Sequence, residues 1–289
     1  MVPHQQTKSL ESFIIVAMVF LKSFVLAFSM FSKIPMPTVA WNKTNLRYMM
    51  CFFPFVGFFI GALAQAFFVL GRFFPSGSLC IPLALTLAPV LVTGGIHFDG
   101  FMDTCDALAS HTSAEKKREI MKDSHVGAFA VLGAALYLLS YFVLCVEMCR
   151  KIGVADFSSA STGGIVLGGF LHGGALGAFS LSFALSRFLS ALAVCVFPKA
   201  GGSGLLRTFS DSAALRFTLW WCVSFIALIF SCLVVFCGRF GKAVVVSGIV
   251  SFAWYFFMSR RNFGGITGDL AGWFVQICEI FCLLGVCVA

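Results

Sequence analysis

Long runs without a charged residue are the feature that most constrains the fold of this chain. Five of them are about as long as a bilayer-spanning helix: Tyr48–Gly71, Phe73–Phe98, Ser124–Val146, Phe157–Ser186 and Phe217–Gly238. A helix needs about 20 mostly apolar residues to cross the hydrocarbon core of a bilayer. Soluble domains carry about 25% charged residues, whereas this chain of 289 residues carries 11%. We therefore predict an integral membrane protein.

Three further apolar stretches add to these five. Ser12–Ser32 is interrupted by Lys22, Ala243–Met258 is shorter, and Leu270–Val288 contains Glu279. Together the runs predict an all-α fold, a polytopic membrane helix bundle with about seven or eight transmembrane helices. No polar stretch is long enough to fold as a separate soluble domain, so residues 1–289 are expected to form a single integral-membrane domain.

The net charge of +8 is explained by membrane topology and does not require a nucleic-acid partner. With eight spans, the loops around residues 33–47, 97–125, 187–216 and 259–270 share one face and carry 13 Lys or Arg residues, against 6 on the other face. Lys and Arg accumulate in cytoplasmic loops. We therefore expect a multi-pass protein of the cell membrane whose four loops face the cytoplasm. The lipid bilayer is its expected partner, and a homo-oligomer is compatible with the sequence.

Half of the twelve Asp and Glu residues lie in one stretch, Gly94–Gly127, between apolar runs. Asp99, Asp103 and Asp106 are spaced i, i+4 and i+7, so on a helix they share one face. Carboxylates held this close repel one another. A divalent cation would offset that repulsion, and Mg²⁺ prefers oxygen ligands, commonly one or two carboxylates together with substrate phosphates. The pattern predicts a magnesium site.

The end of the same stretch contains Lys122 and Asp123, where the next span begins. Lys122 is a candidate phosphate partner, and Asp123 is a candidate for either a metal ligand or a base. Just before them, Thr112-Ser113-Ala114-Glu115 fits a capping box that starts a helix. A cation-coupled transporter is the alternative of a different class, but transporters place their acids within spans near the midplane. These acids lie at span ends, which favours chemistry on a charged substrate.

The segment before the last span is rich in glycine and charge. Glycines in Arg260–Asp269 allow a tight turn whose amides can face phosphate oxygens. Arg260 is a candidate phosphate partner and Asp269 a further carboxylate. Arg187 lies amid apolar sequence, where it can either neutralise an acid or bind a phosphate, and Glu279 is an acid within a span. Acids in spans are functional candidates by default.

These residues together resemble the cobalamin synthase family, the adenosylcobinamide-GDP ribazoletransferases. The resemblance covers nearly the whole chain and rests on FSKIPMP, Phe53–Gly57, TGGIHFDGFMDTCDAL at Thr93–Leu108, EIMKDSHVGAF at Glu119–Phe129, LSR at Leu185–Arg187, and GGITGD at Gly264–Asp269. The chain departs from the family pattern at Ala107, where Gly is usual, and at His125, where Arg is frequent. On the resemblance, we expect the change at His125 to remove a phosphate contact at neutral pH.

The resemblance implies that adenosylcobinamide-GDP and α-ribazole, or its 5′-phosphate, give adenosylcobalamin, or its 5′-phosphate, plus GMP, with Mg²⁺ as cofactor. On that reading we assign residues to three groups. The metal ligands are Asp99, Asp103, Asp106 and Asp269; the catalytic residues are Asp123, Lys122 and Arg187; the substrate-binding residues are His97, Ser124, Arg260, Gly264, Gly265, Thr267 and Gly268. Asp123 stays open between ligand and base.

The nearest alternative enzyme is a membrane phosphotransferase of the CDP-alcohol type, which also uses clustered aspartates at helical spacing. Its pattern requires Ala-Arg after the first Asp-Gly. Here Phe101, Met102 and Asp103 follow instead. The motif therefore favours the ribazoletransferase reading.

Overall fold

The computed structural model is a bundle of helices, and it describes residues 3–71, 73–75, 77–152, 173–201, 208–209, 211 and 213–289, with side chains from Ile14 onward. In chain order the helices of these ranges are α1 (Pro3–Phe31), α2 (Lys43–Leu46), α3 (Met49–Gly71), α4 (Cys80–Thr93), α5 (Ile96–Ala109), α6 (Ala114–Ile120), α7 (Ala128–Ile152), α8 (Gly174–Val196), α9 (Leu215–Phe236), α10 (Gly238–Phe263) and α11 (Gly268–Val288). Seven of them, α1, α3 and α7 to α11, are long and apolar enough to span a membrane. The prediction of a polytopic all-α bundle is confirmed.

The run Phe73–Phe98 does not form one straight span, and that part of the sequence prediction is wrong. Helix α4 ends at Thr93, and α5 departs from its axis by 94°. Gly94 and Gly95 cause the break, because both take positive φ, at 64° and 80°, a backbone conformation that glycine adopts without steric cost. The bend places α5, with its acids, at one end of the bundle.

Helix α8 is the centre of the bundle. In its most apolar stretch 83% of the residues are buried, and the helix packs against α3, α9, α10 and α11. Gly57 of α3 lies directly on the carbonyl of Phe183, where a Cβ atom would overlap the α8 backbone. Small residues allow such close helix approach in membranes. Gln65 adds a hydrogen bond from its Nε2 to Ser180 Oγ at 2.9 Å. The first part of the predicted run 157–186 lies outside the described residues.

Helices α1, α7, α9 and α10 are the outer members of the bundle, with only 17–28% of the residues in their most apolar stretches buried. Their outward faces carry large apolar side chains such as Leu139, Trp220 and Val235. Contact of these faces with the hydrocarbon of a bilayer is favourable, whereas their exposure to water would be unfavourable. The composition of the chain is therefore accounted for by lipid contact on the outside and by helix packing on the inside.

A buried ion pair connects the central helix to α11. Arg187 Nη1 donates to Glu279 Oε1 at 2.6 Å, and the two side chains are 0% and 1% exposed. Arg187 also donates to the carbonyl of Phe183, one turn earlier, at 2.8 Å. The guanidinium thus neutralises the acid within the last span, which is one of the two roles that the sequence leaves open for it.

We expect Glu279→Ala to destabilise the protein strongly, because it leaves the Arg187 charge buried and unpaired. Removing one partner of a buried pair costs about 3–5 kcal/mol. Replacing both partners, as in Arg187→Met with Glu279→Leu, should recover most of that loss. The control is Glu147→Ala, which breaks an exposed pair with Arg150 and should change stability by less than about 1 kcal/mol. Thermal unfolding in detergent measures all three, and equal melting of Glu279→Ala and the wild type would contradict the interpretation.

Candidate functional site at one end of the bundle

The four polar loops meet at one end of the bundle, as the sequence predicts. Backbone hydrogen bonds join three of them: Ala214 N to Arg47 O at 3.1 Å, Ile266 N to Pro198 O at 2.8 Å, and Ala200 N to Ile266 O at 3.0 Å. The first loop is also bonded to the end of α4, which leads into α5, by Lys33 N to Val92 O at 2.8 Å. The last two loop contacts lie on either side of Ile266 and form a short parallel bridge between Lys199 and Ile266. Because the spans between the loops are long, their other ends, including the last residues of α11, lie at the opposite end of the bundle.

Helix α5 carries the three aspartates at the predicted spacing and packs directly against the start of α11. A Cβ atom on Gly100 would lie 2.6 Å from the Asp269 carbonyl oxygen, and one on Gly272 would lie 3.1 Å from His97 Cα. The two helix backbones therefore touch without intervening side chains. This contact brings Asp269, remote in sequence, beside Asp99 and Asp103.

The carboxylates at this contact interact electrostatically. Burial, followed by the negative charges of Asp99, Asp269 and Asp106, raises the pKa of Asp103 to about 6. An opposite charge nearby would favour the ionised form and reverse this effect. The site therefore has the electrostatic character of a place that attracts a cation.

Asp106 has a structural task that the sequence does not reveal. Its two carboxylate oxygens accept backbone hydrogen bonds from Gly127 at 2.7 Å and from Ala130 at 2.8 Å. These amides lie at the start of α7, so Asp106 caps that helix from the outside. A side chain on Gly127 would collide with the carboxylate, its Cβ lying 2.5 Å from both oxygens.

The remaining acids fit a hard cation that also binds substrate phosphate. Within the described ranges, no three His, Cys, Asp or Glu side chains are placed to hold one metal ion by themselves. Mg²⁺ does not require such a set, because it commonly takes one or two carboxylates and completes its shell with water and substrate oxygens. Asp99, Asp103 and Asp269 supply oxygen donors only, which agrees with that preference.

Helix α6 contacts the end of α10, just before the loop that leads into α11. Ser113 caps α6 by accepting a hydrogen bond from the Lys116 amide. This confirms that a helix starts here, with the cap one residue later than the Thr112 of the predicted capping box. Lys117 Nζ donates to Asn262 Oδ1 at 2.8 Å, and Arg118 Nη1 donates to the Phe263 carbonyl at 2.5 Å. The basic residues of α6 thus have a positioning role, which the sequence reading does not anticipate.

The glycine loop itself has the tight turn that its composition predicts. Gly264 and Gly265 take positive φ, at 75° and 150°, and Gly268 is exposed. Thr267 caps α11, because its Oγ1 accepts a hydrogen bond from the Leu270 amide at 3.2 Å. Arg260 is exposed, with its guanidinium 5.2 Å from the Phe256 ring centroid.

Lys122, Asp123 and Ser124 are exposed in the turn between α6 and α7. Asp123 Oδ1 accepts a hydrogen bond from the His125 amide at 3.0 Å and lies 2.7 Å from His125 Nδ1. The amide hydrogen bond, followed by that of the ring, lowers the pKa of Asp123 below its usual value. His125, at a departure from the family pattern, therefore stabilises the ionised form of Asp123.

Two of the proposed site residues lie deeper than the loops. Arg187 is fully buried in its pair with Glu279. His97 is 4% exposed, and its Nε2 atom has no hydrogen-bond partner among the residues that the structure describes. His97 also lines a cavity that reaches Asp269.

Lys33 is a cation of the site that the sequence reading misses. Its aliphatic stem lies across Gly94, so close that a Cβ atom there would overlap it, and its backbone is fixed to α4 by the bond to Val92. The residue is exposed, beside the turn that leads into α5. Its only sequence signal is its place in FSKIPMP, because the contact with Gly94 is made by the fold.

Asp106 and Asp99 should respond differently to substitution. Asp106→Ala should lower stability by about 1 kcal/mol, since it removes an external cap, whereas Asp99→Asn should not, because it relieves repulsion among the acids. Thermal unfolding in detergent with EDTA present tests this difference. A larger loss for Asp99→Asn than for Asp106→Ala would refute the division of roles.

Comparison with known proteins supports one family. The family model for cobalamin-5-phosphate synthase matches residues 23–287. A protein of Lachnoclostridium phytofermentans named adenosylcobinamide-GDP ribazoletransferase is 33% identical over 94% of this chain and 95% of its own length. Proteins of the same name from Geobacillus kaustophilus and Fusobacterium nucleatum are 30% and 28% identical over 87% and 90% of this chain, and over 90% and 95% of their own lengths. No solved structure matches the chain.

Proposed function

The chain belongs to the cobalamin-5-phosphate synthase family, and from that premise we propose that it joins adenosylcobinamide-GDP to α-ribazole, or to its 5′-phosphate, with release of GMP. The relatives carry this activity in their names. The observation that carries the proposal is the contact of α5 with α11, which gathers Asp99, Asp103 and Asp269 at a loop-lined end of a membrane bundle. Such a group of acids suits a metal-bound diphosphate.

The reaction transfers a substituted phosphoryl group. A ribose hydroxyl of the acceptor attacks the phosphorus that carries the corrinoid's aminopropanol arm. The new O–P bond forms, the bond to the GMP oxygen breaks, and the hydroxyl proton passes to a base. Positioning and charge neutralisation are the main requirements of such a step.

We assign the chain's residues to these tasks as follows. One or two of the carboxylates of Asp99, Asp103 and Asp269 would hold Mg²⁺, with water and substrate oxygens completing its shell. When bound, the ion would neutralise diphosphate charge and stabilise the leaving GMP. Asp123, exposed in the turn between α6 and α7, is assigned as the acceptor of the hydroxyl proton. Lys33, Lys122 and Arg260 are assigned to the phosphates. Asp106, which caps α7, is reassigned from ligand to positioning residue, and Arg187 is reassigned to the support of α8 and α11.

The first test is GMP release by detergent-purified protein supplied with adenosylcobinamide-GDP, α-ribazole and Mg²⁺. We expect GMP only when all three are present, and none with EDTA. Asp103→Asn should reduce turnover by at least about a hundredfold, since it removes one charged metal-binding group. Near-normal turnover of this variant would contradict the assignment of Asp103 as a magnesium ligand. Folded protein that releases no GMP with either acceptor would favour the cation-coupled transporter, which ion flux in liposomes would then test.

Lys33→Met should lower kcat/KM for adenosylcobinamide-GDP by about tenfold to a hundredfold, because a hydrogen bond to a charged group contributes about 1.5–3 kcal/mol. Lys43→Met is the matched control, as Lys43 is another exposed lysine at the same end, and it should behave like the wild type. Equal effects of the two substitutions would show that general positive charge, and not the placement of Lys33 on Gly94, matters.

We propose that the site faces the cytoplasm, in the cell membrane, because its four loops, without the buried Arg187, hold 12 Lys or Arg residues against 6 at the other end, and such residues accumulate in cytoplasmic loops. The C-terminus, at the far end of α11, is then outside the cytoplasm. Alkaline phosphatase fused to Ala289 should be active and green fluorescent protein there should be dark. A dark alkaline phosphatase fusion and a fluorescent green fluorescent protein fusion would show that the site faces away from the cytoplasm.

A further inference from the structure

A cavity of about 120 Å³ lies beneath the candidate site, between the site ends of α1, α3, α5 and α8 and the start of α11. Its wall is mainly apolar and includes Phe31, Met50, Phe53 and Val194. Ligand cavities are commonly of this kind, apolar with a few polar groups that fix orientation. The cavity adjoins the glycine segment before α11, because Gly268 and Asp269 line it.

The polar groups of the cavity lie on the side of the acids. Asp269 lines it and also belongs to the group of interacting carboxylates. Ser190 and His97 line it as well. A substituent on a molecule bound in the cavity can therefore extend from it toward the carboxylates.

Flat rings form much of the wall. The ring centroids of Phe31 and Phe53 are 4.3 Å apart, and the Phe31 and His97 rings are stacked at 6.0 Å with 25° between their planes. Phe53 meets His97 edge-on at 5.5 Å. Rings in such arrangements favour a further planar aromatic group.

We propose that this cavity is the base subsite, which holds the bicyclic heteroaromatic base of the nucleoside acceptor with its ribose directed toward Asp269. The inference rests on the proposed function and adds which part of which substrate occupies the cavity. A dimethylbenzimidazole joined to ribose keeps one free ring nitrogen and two methyl groups. That pattern suits an apolar wall with few hydrogen-bonding groups.

The guanine of the donor suits the cavity less well. Guanine has several donors and acceptors along its edges, and burying them without partners is costly. The Ser190 hydroxyl, by contrast, is 3.5 Å from the Ala271 carbonyl, a long contact, and a hydroxyl rotates to meet a new acceptor. It can therefore donate to the single ring nitrogen of the acceptor base.

Val194→Phe tests the proposal by filling the cavity. We expect the KM for α-ribazole to rise at least about tenfold, as even one misplaced methylene in an apolar pocket has an effect of that order. The KM for adenosylcobinamide-GDP should not change. The riboside of unsubstituted benzimidazole, which lacks the two methyl groups, should be affected less. Val196→Phe, on an exposed position of the same helix, is the matched control and should leave both KM values unchanged.

A second variant covers the case in which Val194→Phe does not fold. Met50→Ala enlarges the cavity and should improve kcat/KM for acceptors with bulkier bases relative to α-ribazole. A rise in the donor KM with either variant would place the donor in the cavity and overturn the proposal. An unchanged preference among acceptor bases in the variants that fold would overturn it too.

The outcomes separate this inference from the proposed function. Wild-type protein that binds α-ribazole in equilibrium dialysis, with binding weakened by the cavity variants but no GMP released, would retain the base subsite and reject the transferase. Wild-type protein that releases GMP, with acceptor preference independent of the cavity, would retain the transferase and reject the subsite. Thermal unfolding of each variant shows that it is folded before it is scored.

Discussion

The direct contact between the backbones of α5 and α11 is the interaction on which the site depends. Gly100 and Gly272 leave no room for side chains at that contact. Because the helices touch there, Asp269 comes beside the aspartates of α5, and His97 comes to the wall of the cavity. Larger residues at these positions would separate the acids from one another and the cavity from the acids.

The contact in turn requires α5 to leave the axis of α4. A straight continuation of α4 would take the aspartates out of the bundle along the chain. The two consecutive glycines with positive φ turn the helix by 94°, and Lys33 lies across the first of them. The glycine pair therefore creates the bend and also leaves the space in which the Lys33 side chain lies beside it.

The helix ends around the site are held in place by polar residues that have no need to contact substrate. Asp106 caps α7, and Arg118 holds the end of α10. Deeper in the bundle, Arg187 and Glu279 pair between α8 and α11. In a membrane protein such interactions are conspicuous, because a polar group in apolar surroundings needs a partner. Charged residues in these motifs thus divide into those exposed at the site and those that hold the site in place.

Much of the molecule can be read from the sequence. The charge-free runs determine the number and type of spans, because the thickness of the bilayer sets the length of each. The i, i+4, i+7 spacing of Asp99, Asp103 and Asp106 places them on one helix, and the glycine segment before α11 is a turn, since both are properties of local backbone geometry. The family follows from motifs of the same local kind.

Other features were decided only by the tertiary structure. The break in Phe73–Phe98 depends on two φ angles that composition does not reveal. The assignment of Asp106 to the α7 amides, the pairing of Arg187 with Glu279, the placement of Lys33 on Gly94 and the aromatic cavity all join residues far apart in the chain. A sequence shows which residues can carry charge or bind metal. Which partner each one meets is fixed by packing, because electrostatic and hydrogen-bond interactions act over a few ångströms and the fold alone sets those distances.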